Sequence, residues 1–260
     1  MLVYLDDIRL NAVCDGPENA APVVLIHGLG TDLSLWDRVV AQLPARRVLR
    51  FDLRGHGRSD VAAPPYAMGA LIHDAERIIA HFAMRDAVIV GHGAGGLVAQ
   101  GLAVKRLDLV RGLILSNTAS RIGQAEIWRR QIDQVQGDGL GAILDGTMQQ
   151  WFGPRWRDAA GLPKARAMLE ATPADGWAGV AAAIAGSDFY QTTATLRLPA
   201  LVVAAASDGV TPPDMQRELA DLIPGAEFRL IQRAGHLAPL DQPERFAECL
   251  AGFLDRIGHV

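Results

Sequence analysis

The stretch Ala87-Val88-Ile89-Val90-Gly91-His92-Gly93-Ala94-Gly95-Gly96-Leu97-Val98-Ala99 constrains this chain more than any other. An apolar run of strand length ends in a cluster of glycines, and an apolar helix-forming segment follows at once. A chain that leaves a strand and enters a helix within so few residues must turn sharply, and glycine tolerates the backbone conformations and close approaches such a turn needs. A strand, tight turn and helix are therefore predicted here. Neither flank has a polar face, so the unit belongs inside a larger sheet covered on both sides.

The rest of the chain supplies that sheet. Short β-like runs at Leu2–Leu5 and 8–14 flank Asp6-Asp7 as a hairpin. Further strands are predicted at Pro22–Ile26, Arg47–Phe51, 112–115, 199–205 and Glu227–Ile231. Helical spacing marks 33–43 (through Leu35, Trp36, Val39, Val40 and Leu43, stopping at Pro44), 67–82, Pro213–Leu222 and 243–257. This alternation argues for a parallel sheet wrapped by helices. It breaks between 119 and 193, where only helix-like pieces occur, carrying Trp128, Ile132, Val135, Met148, Trp151, Phe152, Trp177, Val180 and Ile184. The expected architecture is α/β: a mostly parallel central sheet with helices on both faces, its core formed by residues 1–118 and 194–260, with a helical lid at 119–193. The 260 residues suffice for one such core.

Composition narrows the function classes. The net charge is −4 and no basic block occurs, which argues against nucleic acid. No apolar run reaches the ~20 residues of a membrane span, and the start lacks the basic and apolar segments of a signal peptide. Cys14 and Cys249 fit no metal or redox spacing and read as free thiols in a reducing cytoplasm. No HExxH or paired Cys/His pattern suggests a metal, and no cofactor is expected. The sequence assigns no oligomeric state.

Two polar residues follow predicted strands near the end of the chain. Asp208 comes after Leu201-Val202-Val203-Ala204-Ala205-Ala206-Ser207, and His236 lies in Arg233-Ala234-Gly235-His236-Leu237. Taken singly, an Asp before a Gly is usually a turn residue, and a His near a strand end is usually structural. In open parallel sheets, however, the ligand crevice lies at the carboxyl ends of the strands, so the glycine turn, Asp208 and His236 should meet there. Their order matches nucleophile, acid and histidine in hydrolases whose turn reads G-x-S-x-G. His236 would be the general base facing position 93, and Asp208 would fix its tautomer and orientation. The backbone N–H groups of Leu29 and Ala94 would hold the oxyanion. His27, like His56, His73, His81, His92 and His259, reads as structural. Arg54 could bind an anion, but is read as bracing its loop.

These residues resemble the α/β-hydrolase superfamily over nearly the whole chain. Within it, several segments resemble 3-oxoadipate enol-lactonases, the β-ketoadipate enol-lactone hydrolases of aromatic catabolism: His27 through Asp37, Val48 through Gly57, Ser116 through Gly123 with Glu126-Ile127-Trp128, Ala171-Thr172-Pro173, and Asp208 through Pro213. The resemblance implies hydrolysis of a small lactone bearing a carboxylate, without cofactor. Trp128 and Trp151 are candidate substrate contacts. Arg129 is a candidate cation for the carboxylate, although its i,i+4 spacing to Asp133 also fits a solvated surface pair. A general carboxylesterase or C–C hydrolase would use the same machinery. A dehalogenase would need a carboxylate at 93.

The pattern asks for serine at 93, and this chain has glycine. Three accounts are open: a serine deliberately replaced; a natural glycine with water activated by His236 and Asp208; or a natural glycine in a ligand-binding pseudoenzyme.

Overall fold

The structure is a computed structural model describing residues 1–43 and 46–259, without the side chains of Arg155 and Trp156. Pro44, where the sequence stops its first helix, and Val260 lie outside the described residues.

Eight strands form one sheet: β1 (Leu2–Leu5), β2 (Ile8–Asp15), β3 (Pro22–Ile26), β4 (Arg47–Phe51), β5 (Ala87–His92), β6 (Val110–Ser116), β7 (Ala200–Ala205) and β8 (Glu227–Ile231). Their order is β1-β2-β4-β3-β5-β6-β7-β8. The hairpin β1–β2 and the β2–β4 pair are antiparallel, and every later pair is parallel. The period-two rule separates the two sides of the central strands. Val24, Ile26 and Ile89 face one apolar cluster, while Val23, Leu25, Val88 and Val90 face the other. Both faces are therefore covered, which is why β5 and β7 are buried along their whole length.

Helices α1 (Asp37–Val40), α2 (Met68–His81) and α3 (Ala94–Lys105) precede β6. Between β6 and β7 come α4 (Ala125–Asp138), α5 (Leu144–Phe152), α6 (Leu162–Ala171), α7 (Ala174–Ala185) and α8 (Tyr190–Thr193), with no strand among the described residues. Helices α9 (Pro213–Leu222), α10 (Ala238–Asp241) and α11 (Pro243–Arg256) complete the chain. The segment read as one helix over 33–43 is a 3-10 turn, Leu33–Trp36, followed by the single-turn α1. Asp32 caps the tight turn by accepting from Ser34 N–H, and Trp36, fully buried, fixes where the chain runs next. Local periodicity yields here to the packing of one large ring.

Helix α3 sits deep because its first turn is glycine-rich. A Cβ at Gly95 would stand 2.3 Å from the Ile26 carbonyl oxygen, so a larger residue would push α3 off β3. That close approach brings the helix N-terminus beside the end of β3, at the point where the strand order reverses. No helix among the described residues is long and apolar enough to cross a membrane.

Candidate active site

The turn between β5 and α3 sets the geometry. Gly93 has φ 53° and ψ −118°, a region that L-residues rarely enter. Its N–H donates to Ser116 O at 3.1 Å, and its carbonyl accepts from Thr118 Oγ1 at 2.8 Å and from Gly96 N–H at 3.0 Å. A Cβ built at 93 would lie 3.4 Å from His236 Nε2, in ordinary contact, and would point into the same space as the imidazole.

His236 and Asp208 come together as the strand ends require. His236 Nδ1 is 3.0 Å from both Asp208 oxygens. The carboxylate also accepts from Val210 N–H (2.8 Å), Thr211 N–H (2.9 Å), Thr211 Oγ1 (2.8 Å) and Asn117 Nδ2 (2.9 Å). Burial pushes the Asp208 carboxyl up, but the facing His236 and these donors outweigh it and hold the group at about 2. A charged Asp208 needs the proton of His236 on Nδ1, which leaves Nε2 as the free acceptor toward position 93. Asn117, Thr211 and Gln216, whose Nε2 is 3.3 Å from Asp208, escaped the sequence reading. Asn117 had one usable signal: it directly follows a predicted strand, and it takes the left-handed backbone (φ 48°) that asparagine tolerates.

Helix α5 is tied to both loops. Its Trp151 carbonyl accepts from His236 N–H at 2.6 Å and its Gln150 carbonyl from Gly209 N–H at 3.0 Å. A Cβ at Gly235 would stand 2.0 Å from the Trp151 carbonyl oxygen. Glycine at 235 is what lets the helix reach the histidine loop.

The opposite side is held by uncharged histidines. Leu53 N–H donates to His27 Nε2 at 2.9 Å, so the ring carries its proton on Nδ1, which donates to Gly28 O at 2.8 Å. Thr31 Oγ1 donates to the same carbonyl at 2.9 Å. In a trans peptide the N–H points opposite the C=O. Holding Gly28 O therefore aims the Leu29 N–H the other way, and holding Gly93 O does the same for Ala94 N–H. Among the described residues neither N–H has an acceptor, and both residues line the same cavity as Gly93 and His236. His56 Nε2 accepts from Gly30 N–H at 3.0 Å. Burial lowers the pKa of His27 and takes that of His56 down to about 3. His92, also fully buried, packs at 4.9 Å between ring centres against His236, and burial with the His236 charge puts it well below the ordinary value. Arg54 braces its loop by donating to Asp74 at 2.6 and 2.8 Å.

The cavity holds about 540 Å³ of empty space, part of it open to solvent. Its wall includes the indoles of Trp128, Trp151 and Trp177 with Leu29, Ile122 and Val210. Trp128 Nε1 donates to Ile122 O at 2.7 Å, which fixes the ring. Arg129 is not brought to the site. It is exposed and absent from the wall, because one residue on from an inward Trp128 is about 100° around the helix. Among the described residues it makes no ion pair with Asp133 either, the acidic partner its spacing suggests. Gln131, one turn on from Trp128, lines the wall instead. Among the described residues no cluster of His, Cys, Asp and Glu could hold a metal ion.

Residues 23–249 match the alpha/beta hydrolase family. The chain belongs to that family. It is 30% identical over 251 residues to 3-oxoadipate enol-lactonase 1 of Acinetobacter baylyi, covering 95% of this chain and 94% of that one. It is 29% identical to a pimeloyl-[acyl-carrier protein] methyl ester esterase of Chromobacterium violaceum, covering 90% and 94%. The enol-lactonase of Burkholderia xenovorans LB400 superposes with a TM-score of 0.94 at 31% identity, covering 98% of this chain and 100% of that one. Family membership makes the fold that of an alpha/beta hydrolase and the activity class that of a hydrolase.

Proposed function

We propose that this hydrolase is built to cleave a small carboxylic ester or lactone through a serine, aspartate and histidine relay, and that Gly93 occupies the nucleophile's seat. The observation that carries this reading is the 3.4 Å between a Cβ at 93 and His236 Nε2, which puts a serine hydroxyl there within hydrogen-bond reach of the base. With serine, Oγ would attack the carbonyl carbon while His236 Nε2 takes its proton. Leu29 and Ala94 N–H would hold the oxyanion, and His236 would return the proton to the departing alkoxide or enolate. Water would then repeat the sequence on the acyl-enzyme. Residues 119–193 act as the lid, with Trp128 and Trp151 against the substrate.

In the chain as it stands, water must supply the attacking oxygen, with His236 taking its proton. Oxyanion donors and binding alone leave ~10³–10⁴-fold over the uncatalysed rate when a triad member is lost, so turnover is strongly impaired. A non-catalytic binding role rests on the same glycine. The name of the Acinetobacter relative supports 3-oxoadipate enol-lactone as substrate, that of the Burkholderia structure an enol-lactone, and that of the esterase a methyl ester.

The test compares the unmodified chain with Gly93→Ser on p-nitrophenyl acetate and on 3-oxoadipate enol-lactone. Serine is expected to raise hydrolysis of p-nitrophenyl acetate at least about a thousandfold, with a burst of acyl-enzyme, and the lactone reports which substrate class the cavity takes. If Gly93→Ser folds, binds ligand and still cleaves nothing, the acyl-transfer reading is wrong and the binding role replaces it.

A further inference from the structure

The cavity wall has one titratable side chain, His236. Among the described residues no Lys, Arg, Asp or Glu lines it. The cations near its entrance are committed or turned away: Arg121 lies 3.8 Å from Asp188, and Arg129 and Arg130 are exposed outside the wall. The nearest buried charge is Asp208, negative and directly behind the His236 ring.

The wall does carry a neutral polar group. Gln131 extends from α4, and Thr147 and Gln150 stand one turn apart on α5. Gln150 is exposed and the other two are half-buried, whereas Trp151 and Trp177 are buried, so the three mark the open end of the cavity. None of the three side chains makes a hydrogen bond within the protein among the described residues. Helix α5 is fixed to the Asp208 and His236 loops through its Gln150 and Trp151 carbonyls, so Thr147 and Gln150 hold a set position relative to the base.

We propose that this cavity selects an uncharged ester or lactone whose far end carries a carboxamide or hydroxyl, read by Gln131, Thr147 and Gln150, and rejects the same molecule bearing a free carboxylate. The proposal rests on the ester or lactone reading of the site and names its substrate class. A carboxylate held among Gln131, Thr147 and Gln150 would leave water beside indole faces with no Lys or Arg in the wall to pair it, and with the like charge of Asp208 behind the His236 ring. A carboxamide offers one acceptor and two donors to glutamine amides that offer the same. The selectivity therefore departs from that of an enzyme for a carboxylate-bearing lactone.

The experiment uses the unmodified protein and two probes with one skeleton, 5-oxohexanamide and 5-oxohexanoate, in which a ketone stands for the reacting carbonyl. Calorimetric titration is expected to show the amide binding about tenfold more tightly than the carboxylate. Gln131→Arg is expected to reverse that preference. Gln150→Ala, on an exposed side chain, is expected to weaken the amide alone by about threefold, which keeps the test independent of how Gln131→Arg folds. Equal or tighter binding of the carboxylate by the unmodified protein, or binding of neither probe, overturns the proposal.

A second arm separates this proposal from the reading beneath it. If Gly93→Ser cleaves p-nitrophenyl acetate but prefers a carboxylate-bearing γ-lactone to its carboxamide, the selectivity falls and acyl transfer stands. If Gly93→Ser cleaves no ester while the unmodified protein still prefers the amide, acyl transfer falls and the selectivity is that of a binding site.

Discussion

The two walls around Gly93 are held by opposite means. On the β3 and β4 side, His27 and His56 accept backbone N–H groups and are kept neutral by burial. On the β7 and β8 side, His236 faces a carboxylate that five neighbours keep charged. The same side chain is a rigid spacer in one place and, in the proposed mechanism, the base in the other. The difference lies in what Nδ1 meets: a carbonyl at His27, a carboxylate at His236. A carbonyl fixes the ring, and a carboxylate both fixes it and stabilises the imidazolium it becomes.

The largest effect should come from breaking the charged wall. In a Gly93→Ser background, Asp208→Asn is expected to lower kcat by about 10⁴-fold, because an amide no longer dictates the His236 tautomer. His56→Asn in the same background should change kcat by less than about tenfold and should instead cost about 1–3 kcal/mol of unfolding free energy, through the Gly30 N–H it leaves unpaired. Parallel kinetics and urea titrations on both variants measure the contrast. Equal kinetic losses would mean that His56 shares in the chemistry.

Acidification should separate the walls next. His56 titrates near 3 in the folded chain against 6.5 unfolded, so its contribution is complete above 6.5 and is lost as pH falls toward 3. Asp241, whose carboxyl accepts the Gly235 N–H beside His236, runs the other way. Burial raises it from 3.8 to about 6, so its contribution is complete below 3.8 and is lost as pH rises through 6. Between pH 7 and 5 His56 should cost about 2 kcal/mol and Asp241 return about 1, so that the two together lower stability by less than about 1 kcal/mol. Asp241→Asn should steepen that fall and His56→Asn should reverse it. Urea midpoints across this range read both slopes.

The smallest expected effect is at Arg129. Arg129→Ala should leave ester hydrolysis by Gly93→Ser unchanged and stability within about 0.5 kcal/mol. A loss of turnover confined to carboxylate-bearing substrates would restore Arg129 as their partner.

Much of this molecule was legible in its sequence. Strands β3, β4 and β8 and helix α9 fall at the expected residues, because continuous apolar runs bounded by Pro, Gly and Asp leave few alternatives. The juxtaposition of position 93, Asp208 and His236 followed from strand ends in a parallel sheet. The supports did not. Asn117 reaches Asp208 from 91 residues away, marked only by its place after a strand, and Thr211 and Gln216 lie near Asp208 in the chain but carry no pattern that sets them apart from turn and helix residues. The inward face of α4 is half legible: Trp128 belongs to it, but the helical repeat places Gln131 beside it and turns Arg129, the residue whose charge suits a carboxylate, to the outside.

The backbone at Gly93 has a consequence of its own. At φ 53° and ψ −118° only glycine is at ease, and a serine there would carry strain of about 1–3 kcal/mol. Hydrogen bonds from Thr118, Gly96 and Gly93 itself hold the conformation whichever residue occupies it. The reactive and the silent form of this turn would thus share one shape and differ in thermal tolerance. The strain belongs to the Cβ and not to the hydroxyl, so alanine at 93 would lose as much thermal tolerance as serine while leaving the pocket's shape unchanged.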